Sequence, residues 1–333
     1  MPRVTMTTSL ADQFLCFYCG EWRPQAESSD EHIVPECMGG SRNVTLTDRV
    51  CKECNGFMGK NVDAHLCRDW FIQRERSKLK IKNKGKQPPW FLSRLVWHRP
   101  EAVHVYVLPA GTWLFRITGT PDGQPRMMIR VHSPDPAEAD EARRTWARDF
   151  SDCRVLPDPA GMSDYEVALL SDFKATTSAQ MEFRFEIKLD AWNRGLAKIG
   201  LGLACLTFGN EYVLTEEANM LRAFARENDA IKRQTIPLRG TGGYAWDAEP
   251  RITQLWEVGE GQHLLLLLAV GSGVLFVWNI FGQWETTVAV ALTDKFNDRL
   301  ADNLGLARLV DARAKKTTGP MSPARLPLKG AGK

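Results

Sequence analysis

Cys16-Phe17-Tyr18-Cys19, Glu31-His32-Ile33-Val34-Pro35 and Cys51-Lys52-Glu53-Cys54-Asn55 decide how this chain is read. The two Cys-x-x-Cys pairs are separated by 31 residues. Each pair puts two sulfurs on one turn, and the pairs close a loop. Four thiolates in that arrangement suit one tetrahedral zinc and leave it no open position. Cys16, Cys19, Cys51 and Cys54 are therefore expected to hold a structural zinc. The unit around them has few apolar residues, with Phe14, Phe17, Ile33, Val44, Leu46 and Phe57 as its expected core. Metal should supply much of its folding energy.

The loop between the pairs carries the chemistry. Glu31 is a hard oxygen donor next to the imidazole of His32. Neighbouring side chains on a strand point opposite ways, so the two need not serve the same atom. His32 titrates near neutrality, the range of a general base. Its second ring nitrogen needs an orienting partner, and Asn43, after Gly39-Gly40, is the candidate. Asn55 offers a neutral oxygen. One carboxylate and one amide leave most of a magnesium or manganese shell to water and phosphate, which suits phosphoryl chemistry.

Taken together, Cys16-x-x-Cys19, Glu31-His32-Ile33-Val34-Pro35, Gly39-Gly40, Asn43 and Cys51-x-x-Cys54-Asn55 resemble the HNH endonuclease family in its zinc-stabilised ββα-metal form. The resemblance implies two strands around Glu31-His32 and Asn43 and a helix beginning near Cys54. It implies His32 as general base held by Asn43, with catalytic Mg or Mn on Glu31 and Asn55. It implies hydrolysis of DNA to a 5′-phosphate end. Two positions depart from the common pattern: Asn55 stands where many members have histidine, and Glu31 where aspartate is frequent. The alternatives are a zinc-dependent nucleic-acid-binding protein that does not cut, and a protein-interaction module riveted by zinc.

Charge points to the same partner. Residues Arg68 to Arg99 hold ten Lys or Arg against Asp69 and Glu75, and Arg308 to the end holds seven against Asp311. Such local fields favour polyanions. Arg42, Arg74, Arg76, Lys78, Lys80, Lys82, Lys84 and Lys86 are the expected nucleic-acid contacts, most of them with backbone. Double-stranded DNA is the expected substrate.

The remaining chain reads as α+β. The expected divisions are a zinc unit over 12–67, a basic helix and connector over 68–89, a mixed domain over 90–312 and a disordered basic tail over 313–333. A helix is expected from Ala64 to about Leu79, capped by Asp63. Further helices are expected over Pro136–Phe150, Ala191–Phe208 and Glu216–Asn228. The mixed domain is assigned to target recognition, a protein partner or self-association. Leu264 to Phe281 is uncharged over a length that could enter a bilayer. Gly271-Ser272-Gly273 and the β-branched content read instead as buried strands, so no membrane partner is expected. Cys37, Cys67, Cys153 and Cys205 are scattered, which reads as a reducing, cytoplasmic setting rather than a disulfide scaffold. The N-terminus lacks the apolar stretch of a signal peptide. No nucleotide-binding fingerprint is present.

Overall fold

The computed structural model describes residues 12–82, 189–227 and 252–329, the strands at 93–97, 102–107, 113–118, 126–130, 154–156 and 181–183, and the single helical positions 144, 168 and 171. The chain divides into two compact units, Met1–Gln87 with Lys188–Lys333, and Pro88–Ile187.

The first unit begins with the hairpin β1 (Gln13–Leu15) and β2 (Trp22–Pro24), which brackets the first cysteine pair. Strands β3 (Ser28–His32) and β4 (Thr45–Cys51) pair antiparallel, with His32 opposite Thr45 and Glu31 opposite Leu46. Helix α1 (Lys52–Met58) starts on Cys51, whose sulfur accepts the N–H of Cys54. The helix runs on through a π-turn, Gly59–Asp63, into α2 (Ala64–Leu66). This is the ββα order that the resemblance implied. Phe14, Phe17, Ile33, Val44 and Leu46 are buried. Phe57 is half-buried under the guanidinium of Arg226, 5.4 Å from its ring centre.

The single helix expected from Ala64 is two. The chain breaks at residues 67–69, and α3 (Trp70–Lys78) restarts on Asp69, which accepts the N–H of Phe71 at 2.9 Å. Asp63 is not a cap; it lies inside the helical run with its carboxylate turned to a lysine. Cys37 and Cys67 are joined in a disulfide, Cα to Cα 6.3 Å, and so are not isolated as their scatter suggested.

The chain enters the second unit at Pro88 and rejoins the first at Lys188, inside the stretch 90–312 that was expected to be one domain. From there the chain returns to the zinc unit through α4 (Leu189–Phe208), α5 (Asn210–Val213) and α6 (Glu216–Arg226). It then forms an antiparallel sheet of β11 (Gln262–Val270), β12 (Gly273–Ile280), β13 (Trp284–Ala291), β14 (Gly305–Asp311) and β15 (Lys316–Met321), in the order β13-β12-β11-β14-β15. The uncharged run from Leu264 is thus buried strand, and no helix among the described residues is long and apolar enough to cross a membrane. The tail expected to be disordered from 313 contributes β15, in which Lys316, Thr317, Thr318 and Met321 pair with β14.

Helix α4 is why these parts form one body. A Cβ on Gly200 would meet Phe276 and Val288 of the sheet at 3.0 Å. A Cβ on Gly202 would meet Ile33 at 3.2 Å, and one on Gly195 would meet Leu66 at 2.9 Å. Gly195, Lys198 and Gly202 are spaced to share one face of the helix, and that face lies on the zinc unit. Glycine costs helix stability, and here it allows close approach on both sides.

The second unit is a sheet in the order β10-β5-β6-β7-β8-β9, made of β5 (Ser93–Trp97), β6 (Ala102–Val107), β7 (Trp113–Thr118), β8 (Arg126–Arg130), β9 (Arg154–Leu156) and β10 (Met181–Phe183). All neighbours are antiparallel except β8 and β9. The helix expected over Pro136–Phe150 falls outside the described residues apart from Arg144, which is helical.

Candidate functional site

The four paired cysteines converge. The sulfurs of Cys16, Cys19, Cys51 and Cys54 all lie within 4.8 Å of one another. A tetrahedral zinc with bonds near 2.3 Å needs sulfurs about 3.8 Å apart, so the cage fits this ion with a small contraction. The N–H of Cys51 points at Cys16 Sγ at 3.3 Å. Zinc with four thiolates carries two net negative charges, and two arginines meet them. Arg226 donates to Cys54 Sγ at 3.4 Å, and Arg23 hydrogen-bonds Cys19. Arg222, buried on the same helix as Arg226, donates to the Phe17 carbonyl at 3.3 Å and the Val213 carbonyl at 2.7 Å. Helix α6 therefore clamps the first knuckle. Its arginines carry no motif, and sequence reasoning did not single them out.

His32 ends β3 and is half-buried. Burial lowers its pKa; nearby Lys198, Lys315 and Arg42 add to that, and Glu36 opposes it. The ring is thus neutral at pH 7, the state a general base requires. Glu36 pairs with Lys315 at 3.1 Å, so a residue of the supposed tail stands at the His32 end of the unit. The glycine pair Gly39-Gly40 makes that turn possible. Gly39 has φ +87°, and a Cβ there would fall 2.4 Å from Ala312, while one on Gly40 would strike the Val34 carbonyl at 1.8 Å. Behind the turn, buried His263 binds the Met38 carbonyl at 2.8 Å and takes the Phe281 N–H on Nδ1 at 3.4 Å. Burial drives the His263 pKa down to about 4. A neutral ring with Nε2–H donating satisfies both contacts.

The other expected site residues separate. Asn43 lies on the short turn Arg42–Val44 with its side chain exposed. Its N–H is capped by Ser41 Oγ at 3.2 Å, and among the described residues no hydrogen bond joins it to the His32 ring. Asn55 does reach β3: its Nδ2 donates to Ser29 Oγ at 3.1 Å and to the Asp30 carbonyl at 2.8 Å. It ties the first turn of α1 to the strand that carries Glu31.

Glu31 is buried, and its carboxylate is taken. It forms a short ion pair with Lys198 and accepts from Tyr18 OH at 3.4 Å. Lys198 is itself fully buried. Its Nζ also contacts both oxygens of Asp63 at 2.8 Å and the His32 carbonyl at 3.3 Å. Burial works to lower the Lys198 pKa, but Asp63 and Glu31 hold it raised, so the ammonium is charged. The Asp63 carboxyl is pushed up to about 6 by burial, against the pull of the lysine. A Mg or Mn ion on Glu31, as the sequence led us to expect, would have to share one carboxylate with an ammonium. These residues do not fit a divalent ion at Glu31. Lys198 was not among the residues the sequence suggested. The available signal was a single lysine inside Leu196 to Leu206, an otherwise uncharged stretch of a buried helix.

Of the expected nucleic-acid contacts, Arg42, Arg74, Lys78, Lys80 and Lys82 are exposed. Lys78 is paired with Glu260, and Arg74 lies 5.9 Å above the Trp70 ring. Arg76 is buried and donates to the Cys67 carbonyl at 3.4 Å, which removes it from the surface set. Lys84 and Lys86 lie outside the described residues.

The HNH endonuclease family matches residues 16–71, from the first zinc cysteine into α3. No curated protein and no solved structure gives a significant match.

Proposed function

We propose that the zinc-knotted unit is an HNH-type phosphodiester hydrolase acting on double-stranded DNA, with His32 as its general base. The observation that carries this reading is the half-buried, neutral His32 at the end of β3, within the field of Arg42 and Lys315, in a segment that matches the HNH endonuclease family. Zinc holds the ββα frame and takes no part in the step. The His32 ring nitrogen accepts the proton of a water that attacks phosphorus. The bond from phosphorus to the 3′-oxygen breaks, the oxygen takes a proton from solvent, and a 5′-phosphate is left. Arg42 and Asn43, exposed on one turn, meet the substrate backbone in this reading, with Lys80 and Lys82 extending the cationic track. Asn55 acts as a positioning residue for β3. The unit Pro88–Ile187 is assigned to target recognition or to a protein partner.

One observation favours a second reading. The carboxylate of Glu31 is already neutralised from within by Lys198, which fits a protein that binds DNA through the same face without cutting it. Zinc-loaded protein incubated with supercoiled plasmid separates the two. Nicking by wild type that His32→Ala abolishes supports hydrolysis. Salt-sensitive binding with no nicking, with or without added Mg or Mn, supports the binder and removes the first proposal.

A further inference from the structure

The oxygens around Lys198 have the form of a cation site. Glu31 and Asp63 supply carboxylates from β3 and from the π-turn after α1, and His32 supplies a backbone carbonyl. Two chain segments, Glu31-His32 and Asp63, thus point hard oxygen donors at one atom. Asp63 meets that atom at 2.8 Å through both oxygens and the His32 carbonyl at 3.3 Å, which are ammonium distances. A magnesium shell closes at about 2.0–2.1 Å and demands octahedral order. The ammonium has three N–H donors, and Glu31, Asp63 and the His32 carbonyl account for all of them. Lys198 cannot easily withdraw. It is fully buried on α4, whose Gly195 and Gly202 seat that face against Leu66 and Ile33.

We propose that the ammonium of Lys198 is the resident cation of the Glu31 centre and excludes a divalent ion from it. The inference rests on the reading of Glu31-His32 as an HNH-type centre, and it specifies that centre's cation. The π-turn belongs to the same device. It spans Gly59–Asp63, and the carboxylate of its last residue, Asp63, meets the lysine. Fixing the positive charge in the fold makes the position of β3, and with it His32, independent of ambient Mg or Mn.

Manganese electron paramagnetic resonance on the zinc-loaded full chain tests this without reference to activity. Wild type mixed with an equimolar amount of Mn should leave the hexaaquo signal undiminished. Lys198→Ala should take up one Mn per chain, and adding Glu31→Gln to that variant should release it. A wild type that binds one Mn per chain, lost in Glu31→Gln, overturns the proposal. So does a folded Lys198→Ala that binds none, because the oxygen cluster would then be no cation site. If Lys198→Ala does not fold, the wild-type and Glu31→Gln titrations still decide the question. Plasmid nicking and DNA binding on the same samples report separately on the functional reading. A chain inert towards DNA with no Mn at Glu31 would sink that reading and leave this one standing.

Discussion

Replacing Lys198 by methionine largely keeps the apolar stem and removes the charge together with its three N–H donors. In wild type the ammonium is fully buried and meets Glu31, both oxygens of Asp63 and the His32 carbonyl. Without it, Glu31 retains only the Tyr18 hydroxyl at 3.4 Å among the partners described here. Breaking a buried pair by deleting one partner costs about 3–5 kcal/mol, because the other charge stays buried. For a unit of this size that corresponds to a fall in Tm of about 10 °C. The triple variant Lys198→Met with Glu31→Gln and Asp63→Asn should regain most of the loss, since no charge remains to be buried. The single variant should also be pH-sensitive. A carboxyl whose folded pKa is raised above its unfolded value stabilises at low pH and loses that contribution as pH rises through the folded value. Asp63 is already raised from 3.8 to about 6, and losing the lysine moves it further up. Lys198→Met should therefore come closest to wild type near pH 5 and fall furthest behind at pH 8. Urea denaturation followed by tryptophan fluorescence at both pH values measures this. A deficit under about 0.5 kcal/mol at pH 8, the size of a surface substitution, would refute the buried-cluster account.

Other predictions follow from the same contacts. Cys51→Ser should lose zinc, read by metal analysis, and should unfold the N-terminal unit, since the ββα segment depends on metal for much of its stability. Arg226→Ala should leave the zinc cage with one compensating charge fewer at Cys54, and chelator should strip its zinc faster than from wild type. His263 has a folded pKa lowered from 6.5 to about 4, so the unfolded chain binds the extra proton first; stability is lost as pH falls from about 6.5 towards 4. At 1.36 kcal/mol per pH unit the loss approaches about 3 kcal/mol; it should be absent from His263→Gln and so appear as the difference between wild type and variant in pH-dependent denaturation. Gly202→Val would drive a side chain into Ile33, which a Cβ already meets at 3.2 Å, and should cost about 1–3 kcal/mol by overpacking.

The zinc unit was legible because cysteine spacing is local. The ligands lie in pairs on single turns, and the strands and helix between them were expected from the resemblance that the motifs in the loop carry. The strands at Gln262–Ala291 were legible for a similar reason, since Gly271-Ser272-Gly273 marks the turn between two apolar runs. Contacts that join distant segments left no such trace. Lys198 meets Asp63 across 135 residues, and Lys315 meets Glu36 across 279. Periodicity gives α4 an apolar face and says nothing of what its one lysine touches. The basic run after Arg68 misled in one detail. A charge count cannot tell Arg76, turned inward to the Cys67 carbonyl, from Arg74 beside it on the surface. The same holds for the tail, where lysines and prolines suggested solvent and the β14 edge recruited a strand. Glu31 is the instructive case. Its residue type and position pointed to a metal ligand, and the oxygen is indeed aimed at a cation, supplied by the chain itself.

The central claim is a centre with one sulfur-bound metal and one lysine. Anomalous diffraction from a manganese-soaked crystal, collected at the zinc and manganese edges, tests it in one experiment. The account predicts a zinc peak among Cys16, Cys19, Cys51 and Cys54, with the Lys198 side chain and no manganese peak between Glu31 and Asp63. A manganese peak on Glu31, with Lys198 displaced from it, would contradict the account.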